Sequence, residues 1–154
     1  MTHTVLMTVH IVAGVAGLLL GPFAIVAALQ AGRRTVPALA YQAAVAVITT
    51  TAVGFAVLDW RSWWPFVILA VGTEAAVAAG WWARSHRSPG WHARHIRLIC
   101  GSYISLVTAL LVVSWGSLLA WVLPTLVGTV LVERAANRAT ARPSPAIATN
   151  SGVS

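Results

Sequence analysis

Glu74 lies near the middle of an apolar stretch running from Pro65 to Trp82, and an acid in that position is the residue of this chain best placed to do chemistry. A carboxylate facing bilayer hydrocarbon is so costly that ionisable groups inside membranes face protein or water, pair with something, or stay protonated. The chemistry expected is therefore proton binding at an interior polar site. Setting the midpoint of each apolar segment at one depth adds hydroxyl groups to that site: Thr49 and Thr50, Ser105, Thr108 and Thr125. Each could donate to a buried carboxylate at about 1 kcal/mol per bond, although serine and threonine also join membrane helices simply by packing. A glutamine at position 74 would make similar bonds without the charge, which favours a functional reason for the acid.

His10, Gly14, Gly17 and Gly21 recur at helical spacing on one face. Small residues let a neighbouring backbone approach closely, so this face is expected inside the bundle and takes His10 with it. His10 stands about 10 Å outward of the midpoint at about 1.5 Å per residue. That is too far for a direct bond to Glu74, and it leaves a relay through water or hydroxyls. The imidazole is either a satisfied interior group or a proton-handling or ligating one.

A third cluster, Trp91, His92, Arg94, His95, Arg97, Ser102 and Tyr103, surrounds the entry to the fourth apolar segment, with Ser88, Pro89 and Gly90 as its start signal. Its arginines could hold an anionic headgroup, a phosphate or a cofactor carboxylate, or form a solvated collar that anchors the chain in lipid. His92 and His95 could share a helix face, but no Asp, Glu or Cys nearby completes a metal site.

The elements that must position these groups are membrane helices. The 154-residue chain is 58% hydrophobic and 8% charged, with a mean hydropathy of +0.81, against about 25% charged residues in soluble domains. Its length allows one helical domain and a tail. Apolar segments run over 5–29, 38–58, 65–82 and 98–132. The last would be about 52 Å long as a single helix, against a hydrocarbon core of about 30 Å. Trp115, Gly116 and Ser117 offer a turn that divides it, giving an all-α polytopic transmembrane bundle of five helices, or four plus a re-entrant or bent segment. The bundle is expected over 1–134. The Ala-, Thr-, Ser-, Pro- and Asn-rich residues 135–154 read as a disordered cytoplasmic tail. Pro22 and Pro124 fall within apolar runs and are expected to kink them.

Charge sets the orientation. Arg33 and Arg34, then Arg84, Arg87, Arg94 and Arg97, then Arg134, Arg138 and Arg142 all fall on one side of a five-crossing chain. By the positive-inside bias that side is the cytoplasm, with the N-terminus outside in the plasma membrane. Trp60, Trp63, Trp64, Trp115 and Trp121 would mark the outer interface, and Trp81, Trp82 and Trp91 the inner one. All ten basic residues are arginine, a bias of GC-rich bacterial genomes. The net charge of +7 reads as lipid anchoring rather than nucleic-acid binding, since no nucleic-acid motif accompanies it. The lone Cys100 excludes an internal disulfide and a multi-cysteine metal site. The first apolar run exceeds a signal-peptide core of about 7–15 residues, so it is expected to be a retained helix.

The run WHARHIRLICGSYISLVTALLVV followed by WVLPTLVGTVLVERA resembles the C-terminal half of an uncharacterised bacterial family of small multi-helix membrane proteins, a domain of unknown function (2306 type). The residues carrying the likeness are His95, Ser102, Tyr103, Thr108, Pro124, Thr125 and Gly128, together with His10, Gly14, Gly21 and Pro22. In place of the family's histidine–arginine pair before the second helix, this chain has TVPALAY, keeping Tyr41. The resemblance implies a membrane fold and supplies no activity.

Three functions compete on the sequence. One is a buried protonatable path of His10, Glu74 and His95 serving proton-coupled transport or sensing, for which so small a chain would form a homo-oligomer. Another is a non-catalytic assembly or lipid-binding subunit. The third is a haem-binding redox subunit, against which His10 and His95 are separated by about 25 Å along the membrane normal. Glu74 and His10 could also act as the acid and base of an enzyme, although no nucleophile, motif or cofactor loop supports that reading.

Overall fold

The computed structural model describes residues 2–30, 36–87 and 89–141. Backbone N–H and C=O groups held away from water must bond within their own segment, so the long apolar runs become helices. In chain order these are α1 (Thr2–Leu29), α2 (Val36–Leu58), α3 (Trp60–His86), α4 (Trp91–Trp115) and α5 (Leu118–Ala141). All five are long and apolar enough to cross a membrane, the pattern of a multi-pass membrane protein. Arg33, Arg34, Arg142 and the remainder of the expected tail lie outside the described residues.

The final apolar stretch forms two helices, α4 and α5. Gly116 ends α4 at φ 59°, a left-handed conformation that glycine adopts without a Cβ penalty, and its N–H donates to the Val112 carbonyl at 2.8 Å. At the α3–α4 connection two residues share that task, Arg87 at φ 45° and Gly90 at φ 76°. Pro22 and Pro124 both fall inside continuous helices.

Three helix ends differ from the apolar limits. α3 starts at Trp60 rather than Pro65, and α4 at Trp91 rather than Leu98. α5 continues to Ala141, so 135–141 belong to a helix and not to the tail, and Ala136 is fully buried. Hydropathy marks where a segment is apolar, whereas arginine and alanine sustain a helix well beyond that point.

The first four helices close into a ring in which α1 packs on α2, α2 on α3, α3 on α4, and α4 back on α1; α5 packs on the outside of α4. One end of the ring carries Arg84, Arg87, Arg94 and Arg97 and is called the arginine end. The other carries the start of α1 and the α2–α3 and α4–α5 turns. Tyr41, Val45, Val77 and Ile96 are fully buried between the middle of the ring and the arginine end, with Ala24, Ala28, Ile99 and Cys100 around them. Tyr41 and Ser102 share a hydrogen bond of 3.0 Å inside this core, and Ser102 also donates to the Ile99 carbonyl at 2.7 Å.

Candidate functional site: a carboxyl between two helices and an adjoining cavity

Gln42 and Thr49 lie seven residues apart on α2, which places them two turns apart on one face. That face meets the middle of α3, and between the two residues sits the Glu74 carboxyl. Gln42 Nε2 donates to Oε2 at 3.2 Å and Thr49 Oγ1 to Oε1 at 3.2 Å. Glu74 is half-buried, on the floor of an outward-facing groove lined also by Thr50, Val53, Val71, Ala75 and Ala78. The acid therefore sits at the α2–α3 seam on the flank of the ring, where the sequence suggested the centre of the bundle.

The hydroxyls expected around it are dispersed by the rotational phase of their helices. Thr50 borders the groove but is exposed and donates to Ala46 O of its own helix at 2.6 Å. Thr125 is exposed on α5 and donates to Trp121 O at 3.1 Å. Ser105 is half-buried and donates to Gly101 O at 3.2 Å. Thr108 is buried with no partner for its hydroxyl, as is Oε1 of Gln42. Of the hydroxyl residues named from sequence, only Thr49 reaches the carboxyl. Gln42, its second partner, was missed because it lies off the mid-depth plane; the signal was its two-turn spacing from Thr49.

The geometry completes the bonding of both protonation states. Thr49 Oγ1 also lies 3.0 Å from Val45 O and 3.1 Å from Ala46 O. With Glu74 ionised, the threonine proton goes to Oε1. With Glu74 protonated, the acid donates to Thr49 Oγ1, which passes its own hydrogen to a helix carbonyl. The Gln42 bond is kept in both cases, since a carboxyl oxygen accepts in either form.

His10 Nδ1 lies 2.7 Å from Thr51 Oγ1. The Thr51 hydroxyl also lies 2.7 Å from the Val47 carbonyl and 2.9 Å from that of Ile48; when it donates to either, its oxygen accepts from His10 Nδ1–H. The ring packs edge-on to Phe55, centroids 5.6 Å apart. Trp63, Phe66 and Trp121 continue this aromatic row at centroid steps of 5.8, 5.6 and 6.0 Å.

His10, Phe55, Trp63 and Phe66 line a cavity of about 370 Å³ inside the ring, in the half away from the arginine end. Its other walls are mainly aliphatic, with Thr49, Thr73 and Ser105 among them. Thr49 and Ala70 border both this cavity and the Glu74 groove, so a single layer of side chains separates the two.

The histidines and arginines of the arginine end do not form one collar. His95 is buried, with Nδ1 donating to Gly80 O at 2.8 Å, so it clamps α4 to α3. His92 Nε2 donates to Ala28 O at 3.0 Å and ties α4 to α1. Arg97 pairs with Glu133 of α5 at 2.9 Å. Arg94 is exposed, and Trp91 is half-buried with the Arg87 guanidinium 5.8 Å from its ring. His10 and His95 fall in opposite halves of the ring and share no site. Among the described residues no three His, Cys, Asp or Glu side chains gather into a metal-binding group.

No protein-family model, curated protein or solved structure matches the chain.

Proposed function

We propose that this chain is a small multi-pass protein of the bacterial plasma membrane, N-terminus outside and C-terminus cytoplasmic, that binds and releases a proton at Glu74 in the service of proton-coupled transport or sensing. The observation that carries this reading is the bonding of the carboxyl: Thr49 and Gln42 satisfy the acid and the carboxylate alike. A purely structural link between α2 and α3 needs only one of those forms. The orientation rests on the bias of arginine toward the cytoplasmic face, with Arg84, Arg87, Arg94, Arg97, Arg134 and Arg138 at one end and Arg61 at the other.

The test is labelling of the protein in lipid vesicles with a hydrophobic carbodiimide, which reacts with protonated carboxyls inside the bilayer, followed by mapping of the adduct. Glu74 is expected to be modified, less so as the pH is raised, and Glu74→Gln to abolish the adduct while leaving any at Asp59 and Glu133. Failure to label Glu74 at any pH, or labelling of constant extent at every pH, overturns the reading.

A further inference from the structure

α1 and α4 are joined tightly in only one half of their length. Toward the arginine end His92 bonds Ala28 O, and the Tyr103 hydroxyl donates to Leu18 O at 3.3 Å. Gly21 receives the Tyr103 ring directly against its backbone. Toward the opposite end no hydrogen bond joins the two helices among the described residues. The side chains along that part of the seam are Ile11 and Val15 of α1 and Leu110 and Val113 of α4, exposed by 56%, 53%, 48% and 63%. These four also line the cavity. On the far side the α2 and α3 walls are closed, with Val45, Phe55, Ala70 and Thr73 buried. The cavity thus opens sideways between α1 and α4, through an apolar gap, into whatever surrounds the bundle.

Around apolar spans that surrounding medium is hydrocarbon, and a site entered from hydrocarbon through apolar walls selects a molecule dissolved in it. A volume of about 370 Å³ falls in the range of small-molecule pockets, about 300–1,000 Å³. Walls of this composition offer water few partners, and comparable apolar cavities take up apolar guests. Of the polar groups in the lining, Thr49, Thr73 and Ser105 donate to Glu74 or to carbonyls of their own helices, whereas His10, in the tautomer whose Nδ1–H bonds Thr51 Oγ1, presents Nε2 as an acceptor.

We propose that the cavity is a binding site for a bilayer-dissolved apolar molecule bearing a hydroxyl group, a long-chain alcohol or a phenol, which enters between α1 and α4 and donates its hydroxyl to His10 Nε2. This stands independently of proton binding at Glu74, which lies on the other side of the Thr49–Ala70 layer.

The experiment uses the full chain in phosphatidylcholine nanodiscs with two photoactivatable probes, a diazirine-bearing dodecanol and its methyl ether. The alcohol is expected to label cavity residues, excess dodecanol to compete, and the ether to label about tenfold less for want of one hydrogen bond. His10→Phe should bring alcohol and ether to the same level. Ala109→Phe should abolish labelling by both, with Leu110→Trp at the portal as the second blocking variant should the first fail to fold. Equal labelling by alcohol and ether in the natural protein overturns the role of His10 and leaves a site for bare acyl chains. Labelling spread over the outer surface and indifferent to both blocking variants overturns the site itself.

Discussion

Replacing Glu74 by alanine separates the two bonds that join α3 to α2 at mid-span. Thr49 keeps the Val45 and Ala46 carbonyls as acceptors once the carboxyl is gone, so little is lost there. Gln42 Nε2 has Glu74 as its bonded acceptor and is left unpaired. Hydrogen bonds between membrane helices couple by about 0.6 kcal/mol on average and about 1.7 kcal/mol at most, because the separated helices find other partners. The Gln42–Glu74 coupling should therefore fall at about 1–1.7 kcal/mol, five- to seventeen-fold in the folding equilibrium at about 1.4 kcal/mol per decade, and the Thr49–Glu74 coupling at about 0.5 kcal/mol or less. The assay is a pair of double-mutant cycles, Q42A with E74A and T49V with E74A, measured by tryptophan fluorescence during unfolding in mixed micelles of mild detergent and dodecyl sulfate. Glu74→Gln retains an acceptor for Gln42 and should stay close to the natural protein in stability while losing the carbodiimide adduct. Zero coupling to Gln42, or stronger coupling to Thr49 than to Gln42, would refute the bonding scheme on which proton binding rests.

Gly21→Ala should cost about 1–3 kcal/mol in the same assay, the usual penalty of overpacking, because a Cβ there would overlap the Tyr103 ring, whereas Gly14→Ala should be near neutral since no atom lies within 4 Å of its added carbon. Thr50→Val and Thr125→Val should each change stability by no more than about 0.5 kcal/mol, because each hydroxyl is exposed and bonds a carbonyl of its own helix; a loss above about 1 kcal/mol at Thr50 would mean that it reaches the carboxyl after all.

The five helices could be read from the chain because a crossing demands a minimum apolar length, and the turn at Trp115 to Ser117 because 98–132 is too long for one. Their ends could not, because Trp60 to Trp64 and Trp91 to Arg97 are polar or amphipathic residues that remain helical beyond the apolar core. Depth along each helix was legible as well, and it put Thr49 and Thr50 beside Glu74. Rotation about the helix axis was not, since the segments are apolar nearly all round. Nothing in the sequence said that Thr49 faces α3 while Thr50 turns outward, or that His95 turns into the α3 interface. The small-residue face of α1 was legible as a packing surface, yet its members separate: Gly17 meets Ile48 of α2, Gly21 meets Tyr103 of α4, and Gly14 borders the cavity.

The attachment of α5 to α4, outside a ring that already closes without it, sets the end of the bundle at which the described residues finish. Four helices alone would bring the chain back to the end of the ring at which α1 starts; α5 carries it to the arginine end, where Glu133 pairs with Arg97. The last helix touches the cavity wall through Trp121, 6.0 Å from Phe66, and through α4, whereas α2 and α3 build the carboxyl groove without it. The end of the bundle that the last helix reaches and the setting of the Glu74 carboxyl are therefore independent features of this fold.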